Sequence, residues 1–201
     1  MRWLTVLLLA VLAPLASAGN QKYEPLSASV RAGLHAEVSD QAPPFLAFDN
    51  VEEARAWLAA MSKKLERRMP DRRTREEFLV TVHYEAKRAG LDPQFVLGLI
   101  QVESNFRKYA VSSAGARGYM QVMPFWTKLS ERPEHNLFNL RSNLRYGCWI
   151  LRHYLDAERG DYFRALGRYN GSLGQSDYPN MVVRAWINNW KYPVRTAATQ
   201  P

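Results

Sequence analysis

The sequence has almost no cysteine: Cys148 is the one thiol in 201 residues. An intramolecular disulfide is therefore excluded, and the fold must be held by its core. Cys148 lies in an apolar helical stretch, where it is expected as a small buried hydrophobe. Long apolar runs are equally scarce. The first, Trp3 to Leu12, is far shorter than the roughly 20 residues that cross a bilayer. It follows Arg2 and precedes Pro14 and the small-x-small triplet Ala16-Ser17-Ala18, the pattern of an export signal over residues 1–18. No cysteine stands directly after that point, so a lipid-modified N-terminus is not expected, and no later segment is apolar enough to span a membrane. Histidines are few and scattered: His35, His83, His135 and His153 have no second His or Cys at ligand spacing, so no metal is expected. A glycine-rich phosphate loop and a G-x-S-x-G elbow are missing too, and no cofactor is expected. Acids are outnumbered, 19 against 27 Lys and Arg, for a formal charge of +8. That balance favours an anionic partner, which for an exported chain means cell-wall polymer or anionic lipid rather than nucleic acid. Finally, no period-2 series with hairpin turns is present.

What is present is helical periodicity, which predicts an all-α chain. Residues 19–48, with Pro25, Pro43 and Pro44 and no sustained period, suggest a flexible arm. A first helix lies within 49–73: Asn50 is placed to cap it, and Ala54, Trp57, Leu58, Met61 and Leu65 fall at helical spacing. The basic run Lys63–Arg73 suits a solvated helix end. Thr74 and Glu77 have capping-box spacing, Phe78, Leu79, Val82 and Ala86 form an apolar stripe, and Gly90 ends it. Further helices are expected over Leu140–Glu158, over Tyr162–Tyr169 behind Asp161, and from Asp177 to Trp190. The main domain spans 74–190, with a tail over 191–201.

Asp92 as N-cap and Pro93 at the first helical position set the register of the next helix. In that register Val96, Leu99, Ile100, Glu103 and Phe106 share one stripe, so a carboxylate stands where the pattern asks for an apolar residue. Burial and the negative end of the helix dipole both raise such a group's pKa, as general-acid chemistry requires. A glutamate that merely reaches the surface at a helix end is the alternative that this pattern leaves open.

Three segments follow in order: Glu103-Ser104; the run "SSAGARGYMQVMP" from Ser112 to Pro124; and Arg168-Tyr169-Asn170. Together they resemble the catalytic domain of the soluble lytic transglycosylases, a family with a lysozyme-like fold, over roughly Thr74 to Trp190. The resemblance implies that Glu103 alone protonates the glycosidic oxygen between N-acetylmuramic acid and N-acetylglucosamine in peptidoglycan. It then takes the proton of the muramoyl C6 hydroxyl, and the sugar closes to a 1,6-anhydro product. It further implies that Ser112 bonds the glutamate or the sugar, that Gln121 and Met123 line the groove, that Tyr169 orients Glu103 through its hydroxyl, and that Asn170 binds substrate. Ser104, Gly118 and Met120 would support the site. A lone acid suits this chemistry, since two-carboxylate glycosidases need a partner about 5–9.5 Å away and no Asp or Glu follows Glu103 until Glu131.

The sequence departs from the family pattern at Tyr119, Arg168 and Arg107-Lys108. Arg168 could extend a basic groove, and Phe125, Trp126 and Tyr178 could stack on sugar rings or pack inside. The expectation is an exported, periplasmic, monomeric enzyme acting on peptidoglycan. A lysozyme-type hydrolase on the same fold and a non-catalytic peptidoglycan-binding protein are the alternatives.

Overall fold

The computed structural model describes residues 21–39 and 41–192; the export-signal pattern and most of the tail lie outside them. Among these residues eight α-helices follow one another: α1 Ala28–Ser39, α2 Val51–Leu65, α3 Arg72–Arg88, α4 Pro93–Ser104, α5 Phe125–Leu129, α6 Leu140–Ala157, α7 Tyr162–Asn170 and α8 Asp177–Ala185. A π-helical turn, Trp186–Trp190, continues α8. Among the described residues there is no strand, only isolated bridges pairing Val111 with Arg117 and Arg117 with Val122. The all-α reading holds.

Local chemistry starts most of these helices. Asn50 accepts from the Glu52 N–H at 2.7 Å, Asp92 from Gln94 at 2.8 Å, and Asp161 from Arg164 at 3.0 Å, each satisfying a donor that the first turn leaves unpaired. One start is corrected: Asp71, not Thr74, caps α3, its Oδ1 accepting from the Thr74 N–H at 2.8 Å.

Helix α4 is the centre of the molecule, with Leu97, Leu99 and Ile100 shut off from solvent, and it packs against α8, the π turn and α3. Helix α3 also lies along α6, and α6 along α7. Between α3 and α6 sits an ionic knot. Glu85, buried on α3, meets Arg141 at 3.1 Å and Arg145 at 3.1 Å from α6, and Arg88 at 3.8 Å from its own helix. A buried carboxylate needs such partners to offset its desolvation.

The arm over 19–48 is corrected in part: it contains helix α1, which covers α6. Its anchors are Leu34 and Val38, both buried, and bonds to distant residues: Arg145 Nη1 to the Val38 carbonyl at 3.2 Å, Arg88 to Glu37 at 2.7 Å, and His35 Nδ1 with the Ser130 carbonyl at 3.0 Å. Cys148 is buried in the core, and burial holds its thiol well above the usual range.

Candidate active site

Helix α4 carries Glu103 to within one residue of its C-terminus, where Asn105 turns left-handed at φ 47°. The chain then runs through the small-residue segment 110–118 and returns past Glu103's helix as the loop Gly118–Met123. Four side chains fix that loop. Ser104 Oγ donates to the Tyr119 carbonyl at 2.7 Å, which ties the loop to α4. Asn143, fully buried on α6, accepts from the Met120 N–H at 2.8 Å and donates to the carbonyls of Arg117 and Leu137, each at 2.8 Å. Tyr169 on α7 donates its hydroxyl to the Met120 carbonyl at 2.7 Å. Gln121, buried and left-handed at φ 49°, donates to the carbonyls of Ala110 and Gly118 at 3.2 and 3.0 Å. Its own amide thus holds a backbone conformation that costs a non-glycine residue about 1–3 kcal/mol.

Two glycines make this packing possible. Gly118 has φ +75°, and a Cβ there would stand 2.5 Å from Asn143 Nδ2 and 2.6 Å from the Leu137 carbonyl. At Gly147 on α6 a Cβ would meet the Met120 side chain at 2.4 Å, so the missing side chain is the space that Met120 fills.

Glu103 itself is 4 % exposed. Burial pushes its carboxyl up to about 8, against which a hydrogen bond from the Tyr178 hydroxyl works in the opposite direction. The helix C-terminus adds to the upward push. Oxygen Oε1 accepts from Tyr178, whereas Oε2 is buried and has no protein partner. The Asn170 Oδ1 is likewise buried and unpartnered, while its Nδ2 donates to Ser172 Oγ at 3.1 Å. Buried acceptors without a partner are unusual, because nearly all buried polar atoms find one.

Several expected roles shift. The phenol on Glu103 is that of Tyr178, not Tyr169; Tyr169 spends its proton on the Met120 carbonyl and acts on the loop instead. Gln121 is buried and spends its side-chain amide on the carbonyls of Ala110 and Gly118 rather than lining a groove. Ser112 Oγ accepts from the Ala116 N–H at 3.1 Å and closes its own turn rather than reaching Glu103. Trp126, 1 % exposed, is core rather than a stacking platform. Met123 is half-buried at the end of the loop, Gly118 and Met120 lie within it, and Ser104 ties it to α4. Asn143 was missed, although it interrupts the apolar stripe of α6 as Glu103 interrupts that of α4. The departures also find places. Tyr119 packs its ring 4.8 Å from Phe78, and Arg107 Nε donates to the Ser104 carbonyl at 3.0 Å, closing the end of α4. Arg168 is held by Glu158 and, at 3.1 Å, by Glu24, so its charge is neutralised rather than offered to a ligand.

Tyr178→Phe removes a bond that favours the Glu103 carboxylate. The pKa of Glu103 then rises, and the alkaline fall of any Glu103-dependent activity moves to higher pH; a pH–rate profile of the variant against the parent checks the direction.

A family model, the transglycosylase SLT domain, matches residues 81–181. The membrane-bound lytic murein transglycosylase C of Actinobacillus pleuropneumoniae serotype 5b is 50% identical over 48 residues, covering 24% of this chain and 13% of that protein. Its namesake from Haemophilus influenzae strain PittEE is 31% identical over 114 residues, 49% of this chain and 32% of the other. A transglycosylase of Enterobacteria phage PRD1 is 33% identical over 111 residues, 52% and 41% respectively. The chain thus spans less than half the length of each of these relatives. Glu103, the loop to Met123, Tyr169, Asn170 and Tyr178 all fall inside the stretch matched by the family model, and this chain belongs to the transglycosylase SLT domain family.

Proposed function

We propose that this protein is a peptidoglycan lytic transglycosylase whose single general acid and base is Glu103. The observation that carries the reading is the state of that side chain: a buried carboxyl that keeps its proton near neutral pH and leaves one oxygen unpartnered. Protonated Glu103 donates to the glycosidic oxygen linking N-acetylmuramic acid to N-acetylglucosamine, and the bond from that oxygen to the muramoyl C1 breaks. The carboxylate so formed takes the proton of the muramoyl C6 hydroxyl as O6 bonds to C1. The proton returns to Glu103, the ring closes as a 1,6-anhydro sugar, and water is not consumed. In this scheme Tyr178 positions the carboxyl, Asn170 offers its free Oδ1 to substrate, and Met123 borders the groove.

The influences on the Glu103 pKa are burial and Tyr178, with no second carboxylate among them. That favours one-acid chemistry over the paired acids of a hydrolase. The residue 1–18 pattern supports export, and we place the enzyme in the periplasm, working as a monomer on glycan strands. No helix among the described residues is long and apolar enough to cross a membrane.

Mass spectrometry of sacculi digested with the purified protein tests the reaction. Products ending in 1,6-anhydromuramic acid are expected. Ordinary reducing ends would show a hydrolase, and binding to sacculi with no released fragments would show a binding protein.

A further inference from the structure

Gln21 belongs to the segment that precedes α1, yet it is 4 % exposed while Lys22 and Tyr23 beside it are exposed. Its carboxamide is held on both sides. Oε1 accepts from the Met123 N–H at 3.1 Å and from the Trp126 indole N–H at 3.0 Å; Nε2 donates to the Gln121 carbonyl at 3.3 Å. These partners belong to the loop that Ser104 ties to the Glu103 helix and to the start of α5. The Tyr169 phenol lies within the influence of both Glu103 and the Gln21 amide, which sets the two in one neighbourhood. Two further contacts hold the segment down: Tyr23 meets Phe125 edge-on at 5.7 Å between ring centroids, and Glu24 pairs with Arg168 at 3.1 Å.

The slot around Gln21 is therefore built for a planar amide. It supplies two donors for a carbonyl oxygen and one acceptor for an amide N–H. The 2-acetamido group of an N-acetylated amino sugar presents the same carbonyl and N–H. The slot is formed by the loop that Ser104 ties to the helix of the acid and that the Tyr169 hydroxyl holds at Met120. We propose that the segment Gln21–Glu24 is an internal ligand of the catalytic groove, its Gln21 carboxamide holding the place of a substrate acetamido group, so that glycan binds only as the segment leaves. The identity of the displaced ligand rests on the reading of Glu103 given above. The consequence is self-restraint: affinity for glycan is reduced by the fraction of molecules in which the segment is docked.

Binding and turnover separate this proposal from the reaction itself. Tri-N-acetylchitotriose is titrated by calorimetry into the parent chain, into Gln21→Ala and into Glu24→Ala. Gln21→Ala removes the amide; Glu24→Ala loosens the segment and leaves the slot intact. Gln21 is buried but is not among the apolar core residues, and Arg168 keeps Glu158 as its partner in the second variant. Tighter binding by roughly 5- to 30-fold is expected for Gln21→Ala, with a smaller gain in the same direction for Glu24→Ala. In sacculus digestion KM should fall while the rate at saturating substrate is unchanged. Equal or weaker trisaccharide binding by both variants would overturn the proposal, whatever the turnover. If the variants bind more tightly and neither they nor the parent release anhydro products, the internal ligand stands and the reaction assigned to Glu103 falls.

Discussion

Glu103→Gln should abolish the release of glycan fragments and, in the same protein, raise stability in alkaline solution. The first effect follows from using one group twice. Gln neither gives up a proton to the leaving oxygen nor takes one from the C6 hydroxyl, so turnover should fall roughly a thousandfold or more. The second follows from linkage. The carboxyl is pushed to about 8 in the folded protein from an ordinary 4.5, so the native state binds this proton more tightly than the unfolded chain does. Below 4.5 both states are protonated. As the pH rises from there, the unfolded chain releases the proton first and stability is lost, until above about 8 the native carboxyl ionises too and the loss levels off. At 1.36 kcal/mol per pH unit the full loss is on the order of 5 kcal/mol. Gln carries no such proton. Urea unfolding of parent and variant at about pH 5 and about pH 9 should therefore show a gap that widens in favour of Glu103→Gln. A gap that stays constant with pH would mean that Glu103 is not a buried acid with a raised pKa.

Asn143→Leu is the second large effect, and here stability and activity should fall together. The asparagine's three bonds go to the Met120 N–H and to the Arg117 and Leu137 carbonyls. Leucine is similar in size but satisfies none of them, so one donor and two acceptors are stranded inside the protein. The cost should be roughly 3–5 kcal/mol, read as a drop of about 10 °C in Tm for a chain of this size. Activity at temperatures where the variant remains folded should also decline, because the loop that borders Glu103 loses its grip on α6. A Tm unchanged by the substitution would show that the clasp contributes nothing.

Much of this was visible in the sequence, and what was not has a common cause. Asn50, Asp92 and Asp161 announce helix starts because a cap acts over two or three residues. The inward turn of Glu103 follows from helical register alone. Helix α1 escaped notice because its order is borrowed: two buried side chains and bonds to Arg88, Ser130 and Arg145 hold it, and none of those partners is near it in sequence. The same distance hid Tyr178, which reaches Glu103 across 75 positions. The resemblance puts forward Tyr169, the tyrosine of the Tyr-Asn pair, and only the packing of α8 on α4 reveals which hydroxyl arrives. Asn143 could have been found, since a polar residue on an apolar stripe is the same signal in α6 that singled out Glu103 in α4.

The isolation of Cys148 has a practical side. A thiol that is both buried and reluctant to ionise reacts with an alkylating reagent only when the chain around it opens, and with no second cysteine in the sequence every label records the same event. Cys148 lies on α6, the helix that bears Asn143 and grips the loop. The protein thus carries its own clock for the opening of that helix: the labelling rate, followed with and without glycan, measures how often the scaffold beneath the site comes apart and how far a bound sugar keeps it closed.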